Sequence, residues 1–397
     1  MKILFIHRFY YPDSPPYAKI LDDMRHFFLN KDNDVNVLSS VPSYKKVDYK
    51  KTDKLITKTD DNSIIYRIPV LRINNTSVNK LFNFIWFPIT VFFFLLFSKK
   101  YDIITVSSNP PVLLAFFVAC ATKIKKNKLI YHCMDIHPEI GEISGEFKNK
   151  YIFKLFKWMD NFTCKVASKI VVLSIDMKKS LENRGLNLEN KINIINNYDL
   201  SDGRKSTKKF FQTDDKKRIV FTGNIGRFQK LEKFIEAINK YGCPDNVELV
   251  FVGDGKYLCK LKELSSGIDC VKFIPHQPIN IARKIIEEAS MGIVSLQNEV
   301  IKYAYPSKTM TYLSEGTPVL VCLEKESELS KFVLNNKLGT VLNINNIEDI
   351  YRILKSLNNQ DTYYDREHIK SIFKNNFSKK IYEDKFFKLF NNLMENR

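Results

Sequence analysis

Two glycines and two cations crowd into "FTGNIGRFQK", residues 221–230. An apolar strand runs into Gly223, Asn224 and Gly226. Arg227 and Lys230 follow, and then a helix with apolar residues at 231, 234, 235 and 238. Glycine lets a ligand approach the backbone, and amides at a helix start suit an anion. With a guanidinium fork and an ammonium point charge, the group would neutralise a diphosphate. A second candidate is "YAYPSKTMTYLSEGTPVLV", 303–321, which reads as turn, helix and strand. Ser307 is placed to cap that helix and Gly316 to stop it. Lys308 falls in the first turn, where a cation opposes the helix dipole unless an anion sits there.

A third constellation is "YHCMDIHPEIGEISG", 131–145. It sets His132, Asp135, His137, Glu139 and Glu142 at a strand's carboxyl end, where parallel sheets keep their chemistry. Pro138 biases His137 away from helix. Each stretch also has a plain structural reading: a glycine turn, a capped helix, a capping Asp with a surface His. "FVGDGKY" (251–257) reads first as a tight turn. His132 and His137 lack a cysteine pair beside them, so no metal is expected. G-x-x-x-x-G-K-[ST], G-x-S-x-G and G-x-G-x-x-G are all absent, which removes the signals for a P-loop ATPase, a serine hydrolase and a dinucleotide dehydrogenase.

The elements that position these residues repeat one theme twice. "KILFIHRFYYP" (2–12) and "RIVFTGNIG" (218–226) each open a series of apolar strands alternating with helical stretches. In the first half the strands fall at 34–40, 64–70, 102–108, 128–136, 169–174 and 191–197; in the second at 219–223, 247–255, 271–276, 291–296, 318–323 and 339–344. Several are continuously apolar, as strands buried on both faces must be. Two doubly wound α/β domains with parallel sheets follow. The polar stretch 199–217 predicts a linker between a domain over 1–198 and one over 218–377, and 378–397 predicts an amphipathic final helix. At 397 residues, two domains are also the size expectation.

The chain carries 62 basic and 44 acidic residues, net +18, so anionic partners are favoured. The basic residues are spread out and no nucleic-acid module appears, so nucleic acid is not expected. Seven cysteines without a C-x-x-C predict reduced thiols rather than a disulfide framework. The N-terminus reads as a strand rather than a signal peptide, which predicts a cytoplasmic protein. The most apolar run, "LFNFIWFPITVFFFLLF" (81–97), has Asn83 and Pro88 inside and Lys80, Lys99 and Lys100 beside it. Three readings stay open: a packed domain helix, a helix lying in the membrane interface, or a span. The stretch 110–128 ends in a basic run suited to anionic headgroups.

Taken in order, "MKILFIHRFYYP", "DIHPE", "VVLSIDMKKSLENRG", "INIINN", "FTGNIGR", "FVGDG" and "PSKTMTYLSEGTPVL" resemble a bacterial glycosyltransferase of family 4 over nearly the whole chain. The resemblance implies the retaining GT-B fold: two Rossmann-like domains facing across a cleft, with the C-terminal helix crossing back to the first. It implies transfer of an amino sugar from a UDP-sugar to a polyprenyl-diphosphate-linked acceptor in O-antigen or capsule synthesis, peripherally on the inner face of the plasma membrane. No cofactor is implied beyond the UDP-sugar co-substrate. Arg227 and Lys230 would hold the donor diphosphate, with Gly223, Asn224 and Gly226 giving it room. Gly253 and Ile274 to His276 would line the base, and Ser307, Lys308 and Thr311 would face the donor. His137 or Asp135 would stand at the transferred sugar. The resemblance breaks at Tyr303 and Thr311, where the family often has glutamates, and at "PDSPPYAK" (12–19), where it has paired glycines. A UDP-sugar epimerase of the same two-domain fold, or a catalytically altered member, is the alternative.

Overall fold

The computed structural model of the chain describes residues 1–13, 15–43, 54–71, 77–145, 147, 149–200, 209–211, 214–357 and 364–395. Two compact units emerge: Met1–Asn196 with Tyr382–Arg397, and Asn197–Ile381. Most of the expected linker, 201–208 and 212–213, lies outside the described residues.

The first unit runs β1 (Lys2–Ile6), α1 (Pro16–Leu29), β2 (Asp34–Ser40), β3 (Ile56–Lys58), β4 (Ile64–Ile68), α2 (Ser77–Phe97), β5 (Ile103–Ser107), α3 (Leu113–Lys125), β6 (Lys128–His132), α4 (Glu139–Ile143), α5 (Lys150–Val166), β7 (Lys169–Val172), α6 (Ile175–Glu182) and β8 (Ile192–Ile194). Its sheet is ordered β3-β4-β2-β1-β5-β6-β7-β8. Every pairing is parallel except β3 with β4. Strand β3 was not expected. It is a three-residue edge strand, too short for a period to register.

The second unit runs β9 (Lys217–Thr222), α7 (Glu232–Tyr241), β10 (Val247–Val252), α8 (Leu258–Leu264), β11 (Val271–Ile274), α9 (Ile279–Glu288), β12 (Met291–Ser295), α10 (Lys308–Ser314), β13 (Val319–Cys322), α11 (Glu328–Asn335), β14 (Gly339–Leu342), α12 (Ile347–Ser356) and α13 (Arg366–Phe377). Its sheet, β11-β10-β9-β12-β13-β14, is wholly parallel. The last helix, α14 (Lys379–Glu395), packs Phe390 on Phe28 of α1, ring centroids 4.4 Å apart.

Local chemistry sets the boundaries. Ser174, Ser327, Asn346 and Asp365 accept the first free amides of α6, α11, α12 and α13. Strands β5 and β10 are buried at every position, and apart from Thr105, Ser107 and Glu248 their residues are apolar. The strand order reverses between β1 and β5 in one unit, and between β9 and β12 in the other. Crevices at such reversals, beyond the strands' carboxyl ends, are where doubly wound sheets bind ligands.

Helix α2 packs one stripe of its surface into the first unit. Asn83, Phe87, Val91 and Leu95, four residues apart, form its buried stripe. Asn83 is tolerated there because its amide closes both polar groups of Leu71, donating to the carbonyl at 2.7 Å and accepting the N–H at 2.9 Å. The remaining faces are open: Val78–Phe97 is long and apolar enough to cross a membrane, with only 28% of its window buried.

One expectation fails outright. Cys243, after α7, and Cys270, before β11, form a disulfide with Cα atoms 6.1 Å apart. Their separation of 27 residues carries no motif, and only the packing of the two chain segments brings them together.

Candidate active site

In the second unit a cavity of about 170 Å³ opens at the β9/β12 reversal, lined among others by Phe221, Gln229, Ser295, Tyr305, Ser307 and Lys308. The Lys308 ammonium lies 4.7 Å from the centre of the Phe221 ring. Burial alone pushes its pKa down to about 8, with no carboxylate opposing the shift. A partly buried cation that faces no carboxylate among the described residues is poised for an anion. Gly223, at φ +111°, leaves the space for it: a Cβ there would come within 3.0 Å of Lys308 Cε. Gly253, at φ +135°, packs in turn on Gly223, whose carbonyl oxygen a Cβ would meet at 2.1 Å.

The glycines therefore act differently from the expectation that their amides cradle a diphosphate. The Gly223 N–H donates to the Val252 carbonyl at 2.8 Å, and the Gly226 N–H to Gln229 Oε1 at 2.8 Å. Both donors are used inside the fold. Ser307 likewise stands at the start of α10 but makes no side-chain cap. Seven residues give α10 little dipole, so the positive charge there comes from Lys308. Gly316 does end the helix, at φ +72°.

Arg227 is exposed and opens a single 3₁₀ turn, Arg227–Gln229; Lys230 closes it at φ +50° and is half-buried. The turn is fastened to the end of β12: Ser295 Oγ donates to the Gln229 carbonyl at 2.5 Å, and the Gln297 N–H to the Phe228 carbonyl at 2.5 Å. Gln229 enters the cavity lining, while Arg227, Lys230 and the exposed Asn224 stand outside it. Thr311 and His276 are also outside it, His276 exposed beyond β11. Ile274 accepts the Gly253 N–H at 2.9 Å through its carbonyl and turns its side chain into the cluster of Val220, Val250 and Val252. Sequence reasoning missed Tyr312. Its fully buried hydroxyl accepts the Thr222 N–H at 3.0 Å, tying α10 to the end of β9, and Gly292 makes room for its ring.

In the first unit the β1/β5 reversal gathers buried histidines. His7 Nδ1 lies 2.5 Å from Ser107 Oγ, and His132 Nδ1 lies 2.8 Å from the Tyr17 hydroxyl. The Tyr17 ring stands between the two imidazoles, 4.6 Å and 5.3 Å away. His7, Tyr17 and Ser107 were not singled out from the sequence, although each directly follows or faces a strand end. Burial pushes both imidazoles down to about 3, with charge repulsion from His132 and Arg8 adding at His7. Their neutral forms are the folded forms. Below an unfolded pKa near 6.5 the unfolded chain binds more protons, so stability falls as pH drops from about 6.5 toward 3. Urea unfolding at pH 7.5, 6 and 5 is expected to show this decline, with a smaller slope in His132→Gln. A flat profile would contradict it.

The 131–145 loop is pinned to the same edge. Ser108 Oγ accepts the N–H groups of Met134 and Asp135 at 3.2 and 3.3 Å. Burial lifts the Asp135 carboxyl to about 6 and pushes the His137 imidazole down to about 4; Glu139 works against the latter shift. His137 Nδ1 is buried without a hydrogen-bond partner among the described residues. Beneath it lies Arg184, whose Nη2 donates to Glu139 Oε2 at 2.8 Å and to the His137 carbonyl at 3.1 Å, and whose Nη1 reaches Asp160 at 2.5 Å. Lys157 of α5 closes on Glu139 from outside. Glu139 is thus a structural anchor, while burial moves the pKa values of Asp135 and His137 in opposite directions.

Residues 275–390 match the family model "Glucosyltransferase 3-like, C-terminal domain". WbjE of Pseudomonas aeruginosa, named a glycosyltransferase, is 23% identical over 300 residues, covering 73% of this chain and 74% of WbjE. WcaI of Escherichia coli K12, named for glycosyl transfer in colanic acid biosynthesis, is 20% identical over 349 residues, 83% of this chain and 85% of WcaI. The crystal structure of Anabaena Alr3699/HepE with UDP and glucose superposes with a TM-score of 0.67 at 15% identity, covering 99% of this chain and 100% of HepE. The architecture is the GT-B fold. Residues 275–390 carry the glucosyltransferase-like domain, and the chain as a whole is similar to bacterial glycosyltransferases.

Proposed function

We propose that the chain transfers a sugar, an N-acetylated amino or deoxyamino sugar, with retention from a UDP-sugar to a polyprenyl-diphosphate-linked acceptor. The observation that carries the donor half is Lys308: a desolvated ammonium without a counter-ion, facing a cavity at the sheet's switch point. There it would take a phosphate of the leaving UDP, with Arg227 and Lys230 adding charge from the neighbouring turn and Asn224, Gly253, Ile274, His276, Ser307 and Thr311 around the nucleotide. Stabilising the departing diphosphate with fixed charge is the main electrostatic requirement of such a transfer. In the first unit, Asp135 and His137 would serve the acceptor hydroxyl and the transferred sugar. A thermal-shift panel of UDP-, GDP- and dTDP-sugars, followed by transfer to a polyprenyl-diphosphate sugar, tests this reading. UDP-sugars alone should stabilise, and the acceptor should gain one residue. Interconversion of the UDP-sugar without acceptor would establish the epimerase instead.

A membrane-peripheral location is supported by three helices of the first unit. Leu81, Ile85, Trp86, Phe93 and Phe97 of α2 are exposed. Helix α5 points Tyr151, Ile152, Leu155 and Trp158 outward along one stripe while burying Met159 and Thr163. Phe116 and Phe117 of α3, between them, touch Trp158 and Phe92. Lys80, Lys123, Lys150, Lys154 and Lys165 lie on these helices, whose one acidic residue, Asp160, is buried. Aromatic faces fringed by lysine fit an anionic bilayer interface. Vesicles containing phosphatidylglycerol should pellet the protein at low salt, and vesicles of phosphatidylcholine should do so less. Trp158→Asp should weaken binding about tenfold, in line with ~1.5 kcal/mol for a half-buried aromatic. Equal binding by the variant would exclude α5 from the contact.

A further inference from the structure

We propose that Arg8 anchors a second anion site, in the first unit, which takes a phosphate of the acceptor's diphosphate. This rests on the reading of the acceptor given above.

Arg8 lies just beyond β1, at the strand-order reversal, and is only 8% exposed. Its backbone is held in place: the Arg8 carbonyl accepts the Ser40 N–H at 2.9 Å and the hydroxyls of Ser39 and Ser40 at 2.9 and 2.8 Å. Its guanidinium lies over the Phe9 ring, 5.0 Å from the centre. Yet Nε and Nη2 have no hydrogen-bond partner among the described residues. Buried arginines elsewhere in the chain do not behave this way. Arg184 is clasped by Glu139 and Asp160, Arg218 by Glu248 and Asp214, and Arg283 by Asp199 and Glu315.

The surroundings favour an anion. Arg67 is a second buried cation, tied into the fold by bonds to Thr57 Oγ1 and the Tyr11 carbonyl, each 3.0 Å. Asp13 is felt by both guanidinium groups, so two cations share one carboxylate. Asp13 also accepts the Ser43 N–H at 3.0 Å, while the buried Ser43 hydroxyl has no partner among the described residues. Arginine cannot shed its charge on burial, and its N–H groups form a fork matched to phosphate oxygens. Buried guanidinium N–H groups left without acceptors destabilise a fold, so the retention of Nε and Nη2 in that state points to a ligand that completes them. The donor's diphosphate has its own cations in the second unit, which leaves the acceptor's.

The test is calorimetric titration of inorganic pyrophosphate into the full chain already saturated with UDP, so that the donor site is filled. Wild type should bind, Arg8→Gln should lose at least tenfold in affinity, and Arg8→Lys should fall between. UDP affinity should stay within twofold in both variants. The melting temperature of Arg8→Gln should equal or exceed that of wild type, because the variant removes an unpartnered charge; a structural arginine would give a clear drop. Pyrophosphate binding unchanged in Arg8→Gln, no binding to UDP-loaded wild type, or a marked loss of stability in Arg8→Gln each overturns the site. Failure of wild type to bind UDP at all would instead sink the donor reading.

Discussion

Lys308→Met should weaken UDP binding about 10- to 150-fold while the fold is kept. A hydrogen bond to a charged group contributes about 1.5–3 kcal/mol, and the ammonium has no other partner to lose. The pH dependence gives a sharper signature. The folded pKa is lowered to about 8, so near pH 8 the amine of the free protein is about half protonated. An arriving diphosphate favours the charged form and raises that pKa. Binding therefore takes up protons at pH 8–8.5, and affinity falls as pH rises through 8. For stability the sign is opposite: between the folded pKa and an unfolded value of 10.5 the unfolded chain binds more protons, so raising pH over that window stabilises the unliganded fold. Calorimetry in buffers of different ionisation enthalpy measures the uptake directly. Wild-type uptake with none in Lys308→Met is the expected pair of results. Identical uptake in both would move the site away from α10.

The largest stability effect is expected at Arg184. Its side chain is 3% exposed and stands between the buried carboxylates of Asp160 and Glu139. Both acids press its pKa upward, against the desolvation that would lower it, and its charge lowers that of Glu139. Removing one partner of a buried ionic cluster leaves the others uncompensated, at about 3–5 kcal/mol. Arg184→Met should lose that much by urea unfolding. Arg184 also holds the His137 carbonyl, so Arg184→Lys, which keeps the charge but not the fork, should recover part of the stability and less of the activity. If Arg184→Met unfolds at the wild-type midpoint, the network is not what holds the 131–145 loop.

Part of the Lys308 cavity was visible in single residues. Gly223, Gly253 and Lys308 were marked by type and position, and Gly253 makes the tight turn expected of it, but the Gly223 and Gly226 amides are bound within the fold rather than free for a diphosphate. A glycine before a helix signals that something approaches closely, but the letter does not say what. Here the neighbours are Lys308 on Gly223 and the Gly223 carbonyl on Gly253, while the amides expected to be free are bound within the fold. The histidine cluster was half visible. His132 lies in a marked motif, whereas His7, Tyr17 and Ser107 come from three separate segments and meet only where β1, β5 and β6 align.

By itself, the sequence determined the periodic part of this protein: two series of apolar strands alternating with helices, the strand-end positions of the polar motifs, and the aromatic run at 81–97 with lysines on both flanks. Those follow from local rules, since a strand buried on both faces must be continuously apolar and a helix must keep its own spacing. Tertiary structure alone decided which polar groups are satisfied. It bound the Gly226 amide to Gln229, left Arg8 Nε and Nη2 without hydrogen-bond partners among the described residues, joined Cys243 to Cys270, and turned the apolar stripe of α5 outward. Hydrogen bonding and desolvation depend on neighbours brought in from distant parts of the chain, and no spacing along one segment encodes them.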